Sequence, residues 1–122
     1  MNKHLLRIAL LAALLPWFSG CSRSAAPAID TGKAAEDTTK AFAAADAETK
    51  AAASEAAQAL QKKDYAASML RLSELRDARG LTPEQQIAVA QSMNALVRDL
   101  RLAEQKGDLI ASNLLEHYRK TK

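Results

Sequence analysis

The chain has 122 residues, with 17 Lys and Arg against 14 Asp and Glu for a net charge of +3. Two of the cations, Lys3 and Arg7, precede residue 21, which leaves 15 basic and 14 acidic side chains in residues 21–122. A near-neutral stretch lacks the concentrated basic field that phosphate backbones require, and its only rings, Phe42, Tyr65 and Tyr118, are too few for an aromatic cage or a stacking cleft.

In chain order, Lys3 and Arg7 form a short basic segment, Ile8 to Leu15 an uninterrupted apolar one, and small residues then lead into Cys21. This is the layout of a secretory signal. Even carried through Phe18 the apolar run is about 11 residues, where a membrane span needs roughly 20. The stretch Phe18-Ser19-Gly20-Cys21 resembles the lipobox of bacterial lipoproteins, with Phe18 where that family usually has Leu. The resemblance implies that residues 1–20 are a lipoprotein signal peptide, removed before Cys21, and that Cys21 becomes the lipidated N-terminus. The several acyl chains carried by that family would make the anchor effectively permanent. Ser22, rather than Asp, follows the cysteine, and by the same resemblance the outer membrane is favoured, facing the periplasm in a cell with two membranes. Other roles for Cys21 find less support: the chain has no second cysteine, so a disulfide is restricted to an intermolecular bridge, and His117 lies 96 residues away as a base for a thiolate.

Residues 21–33 contain Pro27 and Gly32 and no apolar period, and read as the lipidated cysteine followed by a flexible tether. Residues 34–122 read as one helical domain. Ala34 to about Lys62 is alanine-dominated, with Glu36/Lys40 and Asp46/Lys50 four residues apart, which predicts a single long helix. Its large apolar residues are Phe42 and Leu60. Alanine removes little apolar area from water, so the first half of this helix is expected either to fray or to dock on a partner.

Asp64 is a good N-cap for a second helix, Tyr65 to about Arg79, with Tyr65, Met69, Leu72 and Leu75 on one stripe. Gly80 stops it. Thr82-Pro83-Glu84-Gln85 combines an N-cap, a first-turn proline and a capping box, and Val89, Met93, Leu96, Leu100 and Ala103 give the third helix a core face to about Lys106. Gly107 ends it, and Asp108 caps a last helix expected to turn Ile110, Leu114 and Tyr118 inward. No segment reads as a strand. The expected fold is all-α, three to four antiparallel helices arranged as two helical hairpins after the signal peptide and tether.

A repeat underlies the hairpins. Gln61-Lys62-Lys63-Asp64-Tyr65-Ala66-Ala67-Ser68-Met69-Leu70 matches Gln105-Lys106-Gly107-Asp108-Leu109-Ile110-Ala111-Ser112-Asn113-Leu114 at six of ten positions, offset by 44. Each copy falls at a corner between helices. The first, Lys63-Asp64-Tyr65 followed by Ser68, Leu72 and Leu75, resembles the corner and second helix of a tetratricopeptide repeat. The offset differs from that family's period of about 34, and the likeness is confined to the corners.

Reaction machinery is missing from the sequence. Zinc needs three or four Cys, His or carboxylate ligands, and in residues 21–122 the only Cys and His are Cys21 and His117. Glycines 32, 80 and 107 form no phosphate-cradling motif, and neither Ser-x-x-Lys nor Gly-x-Ser-x-Gly occurs. Glu74 and Asp77, three residues apart among Arg71, Arg76 and Arg79, read as a solvated charged face. The expectation is a lipid-anchored, non-enzymatic envelope protein, without metal, cofactor or nucleic acid, that binds another envelope protein as a helical interaction or accessory module. Phe42, Leu60, Tyr65, Arg71, Arg76 and Arg79 are the expected contacts, since Tyr and Arg are enriched in binding surfaces. A second expectation is structural: the alanine-rich helix and the ending Tyr118-Arg119-Lys120-Thr121-Lys122 resemble the murein lipoprotein, which would make Lys122 a point of attachment to peptidoglycan.

Overall fold

A computed structural model describes residues 28–122. Within them the chain forms five helices: α1 (Thr31–Ala41), α2 (Ala47–Gln61), α3 (Tyr65–Asp77), α4 (Pro83–Gln105) and α5 (Leu109–Lys120). No strand occurs among the described residues, and the fold is all-α.

The alanine-rich segment is not one helix. It breaks between Ala41 and Ala47, where the Asp46 carboxylate accepts the Thr49 N–H at 2.9 Å and the Thr49 hydroxyl at 2.7 Å. A carboxylate that captures the N–H three residues on competes with helix continuation and starts a new helix in its place. Phe42 at the break is 1% exposed, so the reversal that Asp46 sets also carries the one large ring of the segment into the core. Helix α1 starts earlier than the alanine run suggests, because the Asp30 carboxylate caps it by accepting the Lys33 N–H at 2.7 Å.

The first four helices form a ring, each packed on the next and α1 packed on α4, while α5 covers α4 and touches α3 more lightly. The ring encloses Leu60, Met69, Leu72, Leu75, Val89, Met93, Leu96 and Leu100 together with alanines 34, 35, 53, 56 and 57. Sparse large residues did not leave the first half unburied: Ala34 and Ala35 are 0% exposed. In α5 the buried positions are Ala111 and Leu115, with Leu114 and Tyr118 beside them. Ile110 points out at 67% exposure, one residue ahead of Ala111 on a helix whose inward face is narrow.

Two corners are built alike. The Asp64 N–H donates to Ala59 O at 3.0 Å and Lys63 N–H to Leu60 O at 3.2 Å; the Asp108 N–H donates to Ala103 O at 3.1 Å and Gly107 N–H to Glu104 O at 2.9 Å. Both are the paired carbonyl caps of a Schellman motif, and in each the next residue is the Asp that caps the following helix. Lys63 takes φ 54° where Gly107 takes φ 89°, so the first corner adopts the left-handed backbone with a side chain present. The sequence repeat is therefore a repeat of corner geometry.

Helix α1 meets α4 along a polar seam. Thr31 Oγ1 donates to Asp99 Oδ2 at 3.4 Å, and Gln85 Nε2 donates to Ala41 O at 3.3 Å. Between them Thr38 and Ser92 hydroxyls lie 2.8 Å apart, and Ser92 Oγ donates to Ala34 O at 3.3 Å. With the Ser92 proton on Ala34 O, Thr38 is the donor of the hydroxyl pair. The α4 partners, Gln85, Ser92 and Asp99, recur every seven residues, and Ala88 and Ala95 between them are buried. Ascending numbers in α1 meet descending ones in α4, so the two helices are antiparallel. No buried side-chain polar atom among the described residues lacks a partner.

Candidate functional site

The sequence-predicted contact residues separate into three groups. Phe42 and Leu60 are core residues, each 1% exposed, and offer no surface to a partner. Phe42 is turned in by the α1–α2 reversal, and Leu60 lies on the inner face of α2 with Ala53, Ala56 and Ala57. Tyr65 is half-buried against the core at the start of α3.

The arginines do not act together. Arg71 lies between Glu55 of α2 at 2.7 Å and Glu74 at 3.0 Å; the Glu74 hydrogen bond, then the fields of Glu55 and Glu74, raise its pKa above the ordinary arginine value. Arg76 reaches Asp77 at 3.2 Å, and Arg79 is exposed in the α3–α4 connection. Glu74 and Asp77 thus belong to a solvated, charge-paired face. Cys21 lies outside the described residues. His117 is exposed, and among the described residues no three His, Cys, Asp or Glu side chains stand together as metal ligands. No helix of the described residues is long and apolar enough to cross a membrane.

One concave feature among the described residues is a groove of about 470 Å³ over the N-terminal half of α4. Val89, Ala90 and Met93 of α4 line it with Leu81 from the α3–α4 connection. Gln86 and Asn94 add two amides, Arg76 comes from α3, and Tyr118 and Lys122 come from α5 and the chain end. The Lys122 ammonium stands 5.5 Å from the centre of the Tyr118 ring, within the range of a cation–π contact. No Asp or Glu side chain lines the groove. Arg76 is paired with Asp77, and the Lys122 ammonium forms no ion pair with an Asp or Glu among the described residues. Apolar lining with cations at its edge suits a short apolar segment that carries an acidic residue.

Of the expected contacts only Arg76 lines this groove. The sequence reads Tyr118 as an inward residue of the last helix, where the structure leaves it half-buried, and Val89 and Met93 as members of the α4 stripe. Ala90, Asn94 and Leu81 carried no signal of their own, because a groove between α3 and α5 depends on how far two helices separate and not on any local pattern. Lys122 enters the groove edge through its position beside Tyr118. Comparison with family models, with curated proteins and with solved structures gives no match to this chain.

Proposed function

We propose that this chain is a lipid-anchored, non-enzymatic envelope protein that holds a helical bundle at the membrane and binds an acidic, apolar segment of another envelope protein. Anchoring rests on the lipobox-like Phe18-Ser19-Gly20-Cys21, and the outer membrane is favoured by Ser22. The observation that carries the binding reading is the groove floored by Val89, Ala90 and Met93 with Arg76 and Lys122 at its edge. A pocket of that kind, apolar with a few placed polar groups, is the usual form of a recognition site. The rod of the murein lipoprotein is not favoured, because five helices that fold back on one another supply no continuous helical span.

Two variants test the two parts. Cys21→Ser should leave an unprocessed or soluble form, and mature membrane-bound protein from that variant would overturn the anchor. A photo-crosslinking residue at Gln86 should trap a defined envelope protein in cells. Ala90→Glu, which brings a carboxylate of the segment's own sign into the groove from an exposed position, should abolish that product while the bundle stays folded. A product unchanged by Ala90→Glu would place the contact elsewhere.

A further inference from the structure

The two ends of the bundle differ. At one end stand the start of α1, the α2–α3 corner and the α4–α5 corner. Their common neighbourhood is marked by Asp99, which meets Thr31 Oγ1 at 3.4 Å and Lys63 Nζ at 3.9 Å, and by Arg98, whose guanidinium donates to Ile29 O. The groove lies toward the other end, by the α3–α4 connection and the end of α5.

Past Asp99, α4 continues for six residues to Gln105, roughly 9 Å at helical rise, before the chain turns back as α5. The α4–α5 corner therefore projects beyond the point at which α1 begins. It carries three of the exposed large aliphatic side chains, Leu102 at 55%, Leu109 at 77% and Ile110 at 67%. Its carboxylates are engaged: Asp108 accepts the N–H groups of Ile110 and Ala111, and Glu104 accepts the Ser112 hydroxyl. Arg101 and Lys106 are exposed and form no ion pair among the described residues. The corner is thus an apolar tip with unpaired cations behind it.

The chain enters the described fold at this same end. Cys21 and Ala28 are seven residues apart, a reach of at most roughly 25 Å for any chain. We propose that the α4–α5 corner docks into the headgroup region of the bilayer that holds the anchor, with Leu102, Leu109 and Ile110 inserted and Arg101 and Lys106 against lipid phosphate. The proposal rests on the anchoring reading of Cys21. A projection of this height matches the 5–10 Å to which interfacial apolar faces enter a bilayer. A short tether raises the effective concentration of the corner at the surface, so that a contact too weak to hold free protein suffices. Docking in this pose turns the groove away from the membrane, toward proteins of the facing compartment.

The test uses the mature protein in vesicles of phosphatidylethanolamine and phosphatidylglycerol. Cys21 is the only cysteine, so in acylated protein an Ile110→Cys or a Glu84→Cys substitution supplies a single free thiol for an environment-sensitive dye. Position 110 is at the tip and position 84 at the opposite end of α4. The dye at 110 should shift to the blue and be quenched by lipids labelled near the headgroup, the dye at 84 should do neither, and adding Leu109→Ser should remove the response at 110. A solvent-like dye at 110 in acylated protein would overturn the docking. A blue shift that needs no lipid and grows with protein concentration would also overturn it, since the corner would then cover a second copy. Intact mass before labelling reports on the anchor separately: an unmodified Cys21 overturns the anchoring reading and the basis of the docking with it, and an acylated chain with a silent tip overturns the docking alone.

Discussion

Helix α4 packs its neighbours in two ways. Into the core it turns Val89, Met93, Leu96 and Leu100, all at or below 5% exposure. Toward α1 it turns Gln85, Ser92 and Asp99 with alanines between them. The aliphatic stripe supplies burial, which is large and nearly indifferent to direction. The polar seam supplies register, because a buried hydroxyl or amide that loses its partner costs more than the bond contributes when made. An alanine and threonine helix can therefore be a full member of a bundle if small residues let it come close and hydroxyls tell it where to sit.

The sharpest way to break this comparison is to remove a side chain from the aliphatic stripe. Leu96 is fully buried, and Leu96→Ala should destabilise the protein by about 2–5 kcal/mol in a denaturant titration. The seam should respond less and in a different pattern. Ser92→Ala strands the buried Thr38 hydroxyl and should cost about 1–3 kcal/mol, whereas Thr38→Val leaves Ser92 bonded to Ala34 O and should cost about 1 kcal/mol. The double variant should lose less than the sum of the two, as expected for groups that share a bond. Strict additivity would show that the hydroxyls do not act on each other.

The corners offer a smaller effect of opposite sign. Lys63 holds φ 54° where its counterpart is glycine, and a side chain in that conformation costs about 1–2 kcal/mol, part of which glycine returns as lost chain entropy. Lys63→Gly should therefore raise stability by up to about 1 kcal/mol, measured as a higher denaturant midpoint at unchanged slope. The smallest expected effect is a pH dependence. Hydrogen bonds from the Thr49 N–H and hydroxyl hold the Asp46 carboxyl below the usual aspartate pKa. A depressed carboxyl contributes stability above its unfolded-state pKa and loses it as pH falls through the folded-state value. Melting temperature should thus fall on acidification below the ordinary aspartate range, and Asp46→Asn should flatten that part of the profile.

These regions were not equally legible in the sequence. The aliphatic stripe, the Thr82 capping box and the repeated corner could be read because each is a local pattern with its own chemistry, and the structure carries both capping-box bonds, Thr82 N–H to Gln85 Oε1 at 3.0 Å and Gln85 N–H to Thr82 Oγ1 at 3.2 Å. The α1–α2 break was not legible, since neither Gly nor Pro marks it and Asp46 reads equally as a solvated member of an i,i+4 pair. The seam is invisible to a hydrophobic period because it contains no large apolar residue. Thr31 and Thr38 repeat every seven residues, as do Gln85, Ser92 and Asp99, and this shared spacing was the available signal. With α1 buried, its alanine face no longer calls for a partner. The surface proposed to meet a partner is instead the groove between α3 and α5, which only the assembled helices define.

Hydrogen exchange on the purified full chain tests most directly whether α1 belongs to the bundle. If the seam holds, the amides of Ala34 to Ala41 are protected along with those of Val89 to Leu100, and both sets exchange only when the bundle opens as a whole. Amides of α1 that exchange at the rate of an exposed peptide while α4 remains protected would contradict the account and return the alanine helix to solvent.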